Sequence, residues 1–85
     1  MTQPRALVTG GAGFIGSHAV DKLLQYGYAV RVIDDLRGGR ISNLEHVLHR
    51  PDVEFSETDI CHVRPGSPDF AEVDVVLHFA GIGDI

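Results

Sequence analysis

Residues 8–17 read Val8-Thr9-Gly10-Gly11-Ala12-Gly13-Phe14-Ile15-Gly16-Ser17, with the apolar run Ala6-Leu7-Val8 leading in. An amphipathic pattern leads out, so the order is strand, glycine turn, helix, as a dinucleotide-binding βα unit requires. Gly10 lets the chain leave the strand in a tight turn that a Cβ often forbids. Gly13 lets backbone N–H groups approach a pyrophosphate at the helix start. Unpaired amides and the positive end of the helix dipole favour an anion there. Gly16 is expected to let the helix lie close to its own strand. The pattern G-x-G-x-x-G alone is weak, but Thr9 to Gly16 also satisfies the narrower T-G-x-x-G-x-x-G. A phosphate-binding P-loop needs Lys and then Ser or Thr after the last glycine, and Ser17 and His18 stand there instead. A glycine turn without a ligand is the plain alternative, and the flanking strand and helix argue against it.

Outward from that turn, Arg5 to Thr9 reads as a strand without alternation, the mark of a parallel strand buried on both faces. From Phe14 to Tyr26, Ile15, Ala19, Val20, Leu23 and Leu24 keep helical spacing, with Asp21, Lys22 and Gln25 opposite. Gly27 stands where a helix-ending glycine belongs. His18 reads as an ordinary helix-face residue. Tyr28 to Ile33 is the second strand, and it runs into Asp34-Asp35. An acid at this tip, about 20 residues past the glycine turn, accepts hydrogen bonds from the adenosine ribose hydroxyls of a dinucleotide. Its charge repels a 2′-phosphate, which favours NAD over NADP. Arg37 and Arg40 are near enough in sequence to meet such a phosphate, but they are expected to face solvent or the cofactor's edge.

Beyond the Arg37–Arg40 loop, Ser42 or Asn43 is expected to cap a short helix, Leu44 to His49, ended by Pro51. His46 and His49 lie three apart, but no acid or cysteine completes a metal site in this window. Val53 to Ser56 reads as a third strand, with Thr58-Asp59-Ile60 at its carboxyl end, the rim where ligands sit in open α/β sheets. Residues 61–72 read as loop, with at most one helical turn near Asp69-Phe70. Val73 to Phe79 is a fourth strand, and Ala80-Gly81-Ile82-Gly83 a small-residue turn at its tip. The sum is an α/β chain: four parallel strands of an incomplete Rossmann-type sheet, in the order 3-2-1-4 that right-handed crossovers give. Strand four would then be an apolar edge.

Composition narrows the function. Eighty-five residues, 44% of them hydrophobic, allow one domain at most with a single small core. A formal charge of −5 with scattered basic residues argues against nucleic acid as a partner. The single cysteine, Cys61, rules out an internal disulfide and suits a reducing compartment. No stretch approaches a membrane span, and the start of the chain does not resemble a signal peptide. A cytoplasmic location is expected.

Four blocks together carry a resemblance: Thr9-Gly10-Gly11-Ala12-Gly13-Phe14-Ile15-Gly16-Ser17-His18, Val32-Ile33-Asp34-Asp35-Leu36, Thr58-Asp59-Ile60 and Val76-Leu77-His78-Phe79-Ala80-Gly81. In this order and spacing they resemble the extended short-chain dehydrogenase/reductase family. Within it, the nucleotide-sugar epimerases and dehydratases of the UDP-glucose 4-epimerase type are the most similar. The resemblance covers the opening part of a family member. It implies NAD as cofactor, with Phe14 and Ile15 at the pyrophosphate and Asp34 at the adenosine ribose. By the same resemblance, Asp35, Leu36, Gly38 and Gly39 line that edge and Asp59 and Ile60 border the adenine. Phe79, Ala80 and Gly81 pass the cofactor between its two halves.

The resemblance further implies a nucleotide-sugar substrate for the full-length enzyme; a homodimer is one assembly open to it, and the sequence does not fix the oligomeric state. Two positions depart from the pattern: Asp35 stands where Asn is frequent, and Gly83 where many 4-epimerases carry Lys. The family's base, the Tyr of Tyr-x-x-x-Lys, has no counterpart, because Val30 follows Tyr26 by four residues and Val32 follows Tyr28. No catalytic residue is therefore assigned. The expectation is the front part of an NAD-binding Rossmann domain, lacking substrate domain and catalytic motif and inactive alone. The alternative is a non-catalytic nucleotide-binding module, or a piece completed by another chain.

Overall fold

A computed structural model describes residues 3–59 and 72–79. The elements are β1 (Arg5–Thr9), α1 (Phe14–Gln25), β2 (Ala29–Asp34), a 3-10 turn (Ile41–Asn43), β3 (Val53–Glu57) and β4 (Val75–His78). All strand pairs are parallel, and the sheet order is β3-β2-β1-β4. This is the expected order, on an α/β Rossmann-type sheet. It puts β1 in the middle, where Ala6, Leu7 and Val8 are each 0% exposed. The unbroken apolar run is thus explained, since neither face of β1 meets water. Val20 and Leu24 of α1 join Val8, Val30, Val32 and Val53 in one core cluster.

The end of α1 fixes where β2 starts. Gly27 takes φ +91°, its N–H donates to Leu24 O at 3.1 Å, and Tyr28 N–H donates to Leu23 O at 3.0 Å. That pair of bonds is the Schellman closure, and it needs a residue without a Cβ penalty at Gly27. Because Tyr28 spends its amide on the helix, the ladder begins one residue later than expected, with Ala29 N–H donating to Pro4 O at 2.8 Å. At its far end β2 extends through Asp34, which pairs in register with Glu57. Three positions earlier in the register, Arg31 faces Glu54 across β2 and β3 and pairs with it at 3.0 Å.

Two further expectations need correction. The segment Leu44–His49 is a series of turns and not a helix. Leu44 and Val47 are both buried, and the bonds Leu44 N–H to Ile41 O and Val47 N–H to Leu44 O run three residues back. The segment is pinned by Asn43 at one end and by the Val30–Asp52 backbone bond at the other, so tight turns replace a regular helix. The fourth strand is also shorter than Val73–Phe79. It begins after Asp74, whose N–H donates to Arg5 O at 2.8 Å and whose carboxylate accepts the Arg5 N–H at 2.9 Å. Among the described residues β1 is the only strand beside β4, and Val76 is 50% exposed. The loop and turn expected over 61–71 and 80–83, together with Ile60, Ala80 and Gly81, lie outside the described residues.

Candidate functional site

The carboxyl ends of β1, β2 and β4 bring Thr9, Asp34 and His78 to one rim, because Thr9 pairs with Ile33 on one side and His78 on the other. The glycine turn sits on that rim. Gly10 takes φ +72°, which an L side chain resists, and donates its N–H to Ile33 O at 2.8 Å. The turn is therefore tied to β2 from its first residue. A Cβ on Gly16 would overlap Gly10 O and lie 2.9 Å from Gly10 C and Gly11 Cα. Gly16 thus lets the start of the helix lie against the turn by which the chain leaves β1.

At the start of α1, the first bonded helical amide is that of Ser17, which donates to Gly13 O at 2.8 Å. The N–H groups of Phe14, Ile15 and Gly16 precede it, Gly13 offers no side chain to cap them, and no acid stands in the first turn. This is an anion-seeking end. Phe14 is 76% and Ile15 56% exposed, so two large apolar side chains flank these amides at the surface. The Phe14 ring lies 4.6 Å from the His18 ring, and His18 is an exposed helix-face residue as expected.

Asp34 is 7% exposed and holds the neighbouring backbone with both oxygens. Oδ2 accepts the Ala12 N–H at 2.9 Å, and Oδ1 accepts the Leu36 N–H at 2.7 Å. The second bond is an Asx-type turn, and it sets Leu36 in the left-handed region at φ +63°. Asp35 accepts the Arg37 N–H at 3.0 Å. The exposed Arg37 guanidinium reaches Asp35 at 3.4 Å and Asp59 at 3.7 Å, so it bridges the ends of β2 and β3. Gly38 and Arg40 are exposed, while Gly39 turns inward against the Ala12–Gly13 peptide. On the other side, Phe79 N–H donates to Thr9 O at 2.8 Å, and Thr9 Oγ1 lies 2.6 Å from His78 Nδ1.

The described residues expected at a site (Gly10, Gly13, Phe14, Ile15, Gly16, Asp34, Asp35, Leu36, Gly38, Gly39, Asp59 and Phe79) thus meet on one rim. Asn43 was not expected there. Asn43 Nδ2 donates to Ala12 O at 2.7 Å, and a polar residue directly before buried Leu44 was the only local hint. Among the described residues no group of three or more His, Cys, Asp or Glu is placed to hold a metal, and no helix is long and apolar enough to cross a membrane.

The sequence profile of the NAD dependent epimerase/dehydratase family matches residues 6–85. The chain belongs to this family. Family members with similar sequences include UDP-glucuronic acid decarboxylase 1 of Danio rerio, 41% identical over 76 residues, which covers 89% of this chain and 17% of that protein. Among solved family structures, the UDP-N-acetylglucosamine 4-epimerase of Methanobrevibacter ruminantium superposes with a TM-score of 0.83 at 32% identity. That match covers 100% of this chain and 26% of the other. The dTDP-glucose 4,6-dehydratase of Bacillus anthracis, solved in complex with NAD, gives 0.75 at 31% identity over 91% of this chain and 26% of its own. The chain spans about a sixth of the decarboxylase and about a quarter of each of the two structures.

Proposed function

We propose that this chain is the front part of an NAD-binding Rossmann domain belonging to a nucleotide-sugar epimerase or dehydratase that works by transient oxidation of a sugar hydroxyl. The observation that carries the reading is the bond between Asp34 and Ala12. It sets a carboxylate at the tip of β2 beside a glycine turn that opens onto unpaired helix amides.

The residues present fit the cofactor. A carboxylate offers about four acceptor positions, and Asp34 uses one on Ala12 N–H and one on Leu36 N–H. Two remain for the paired hydroxyls of a ribose. The amides of Phe14, Ile15 and Gly16 would take the diphosphate, which a Cβ on Gly13 would crowd. Asp35, Leu36, Gly38 and Gly39 would border the adenosine, with Asp59 beside the base and Phe79 toward the nicotinamide half. A 2′-phosphate would meet the Asp34 charge, and the Arg37 guanidinium lies against two further carboxylates, Asp35 and Asp59.

When bound, NAD supplies hydride acceptance from a sugar carbon and its return. This chain's residues bind and orient; the acid/base work belongs to groups other than these, since no Tyr-x-x-x-Lys occurs in the sequence. The similar proteins are named as decarboxylase, epimerase and dehydratase, and cofactor binding is the part of those activities this chain shares.

Nitrogen-15 NMR of the labelled chain tests the reading. Addition of NAD is expected to move the amides of Phe14, Ile15, Gly16 and Leu36 together, saturably. Shifts confined to other residues, or none, would contradict it.

A further inference from the structure

The Ala12–Gly13 peptide group is tied at three points. Its carbonyl accepts from Asn43 Nδ2 at 2.7 Å and from Arg40 N–H at 3.0 Å, and its N–H donates to Gly10 O at 3.1 Å. Gly39 closes over the same group so tightly that a Cβ there would stand 2.7 Å from Ala12 C and 2.9 Å from Gly13 N. The group cannot rotate without giving up all three bonds. Beyond it, through Gly13 at φ −73° and ψ 170°, come the amides of Phe14, Ile15 and Gly16, whose directions are laid off from that fixed plane.

We infer that Asn43 is a positioning residue for the diphosphate cradle, acting through the Ala12 carbonyl. This rests on the reading that the start of α1 holds a diphosphate. A capping role does not account for the side chain: the 3-10 turn is entered at Arg40 without a side-chain cap bond, and the Asn43 amide reaches 31 residues back along the chain. Nor does it merely satisfy a buried acceptor, because Arg40 N–H already serves Ala12 O. What the second donor adds is a fixed orientation. Ala12 is then held from both sides, its N–H by Asp34 and its C=O by Asn43, while Asp34 keeps a hold of its own on Leu36 N–H.

The test compares the 85-residue chain with Asn43→Ala and Asn43→Asp, titrated with NAD and with adenosine, which lacks phosphates. Asp has the shape of Asn but no N–H to give. Both variants are expected to keep the wild-type circular dichroism spectrum and to bind NAD about tenfold more weakly, with adenosine affinity within about twofold of wild type. Unchanged NAD affinity would overturn the inference while leaving the site reading intact. Equal losses for NAD and adenosine, or variants that do not fold, would also overturn it by marking a general structural role. A wild-type chain that binds no NAD would remove the site reading and the inference together.

Discussion

The Asp34 carboxylate accepts the Ala12 N–H at 2.9 Å across 22 residues of chain, joining the tip of β2 to the glycine turn that follows β1. The same side chain also holds Leu36 N–H, so its loss leaves two backbone donors without their acceptor in a mostly buried place. Each such donor costs about 1–3 kcal/mol. Asp34→Ala is therefore expected to lower stability by roughly 2–4 kcal/mol in urea titration and to weaken NAD binding at least tenfold in calorimetry. Indifference of the affinity would remove the ribose role, and indifference of the urea midpoint the structural one.

Gly16 and Gly27 fail on substitution for different reasons. A Cβ at Gly16 would run into the backbone of Gly10 and Gly11, which cannot give way without moving the turn. Gly16→Ala is expected to cost at least about 3 kcal/mol and to abolish NAD binding. At Gly27 a Cβ meets nothing within 4 Å, and only the φ of +91° resists it. Gly27→Ala should cost about 1–2 kcal/mol and leave affinity unchanged. Equal costs for the two would refute the account of Gly16.

Much of this was readable in the sequence, and the rest was not for identifiable reasons. The strands and their order follow from hydrophobic runs and crossover handedness, both local or general rules. The β2 boundary moved by one residue because the helix claims the Tyr28 amide, a bond no periodicity reveals. The expected helix over Leu44–His49 gave way to turns because two long-range ties confine it. At the site, the glycine turn and Asp34 announce themselves by spacing. The grip of Asn43 and Gly39 on Ala12 spans the whole first βαβ unit, so it emerges only in the fold.

Away from the site, just before β3, Arg50 pairs with Asp52 at 2.9 Å through two side-chain bonds. That hydrogen bonding holds the Asp52 carboxyl below its ordinary range. A depressed folded value means the contribution is present above the unfolded pKa of about 3.9 and is lost as pH falls through the folded one. The pair is open to water, so the effect is small. Asp52→Asn is expected to show a smaller drop in urea midpoint between pH 7 and pH 3 than wild type. A drop at least as large in the variant would contradict this.

Val76, half-exposed on β4, presents an apolar strand next to no further strand among the described residues. Such edges template pairing between molecules. Light scattering of the chain is expected to rise with concentration, and Val76→Lys to reduce that rise. Scattering that is unaltered by the lysine would place the association elsewhere or deny it.

Side-by-side calorimetric titration of the chain with NAD and NADP tests the central claim most directly, because it asks the helix amides and Asp34 to act together. The expected result is one NAD per chain, with NADP weaker by about tenfold or more because its 2′-phosphate meets the Asp34 carboxylate. Absence of NAD binding, or equal affinity for the two, would contradict the account.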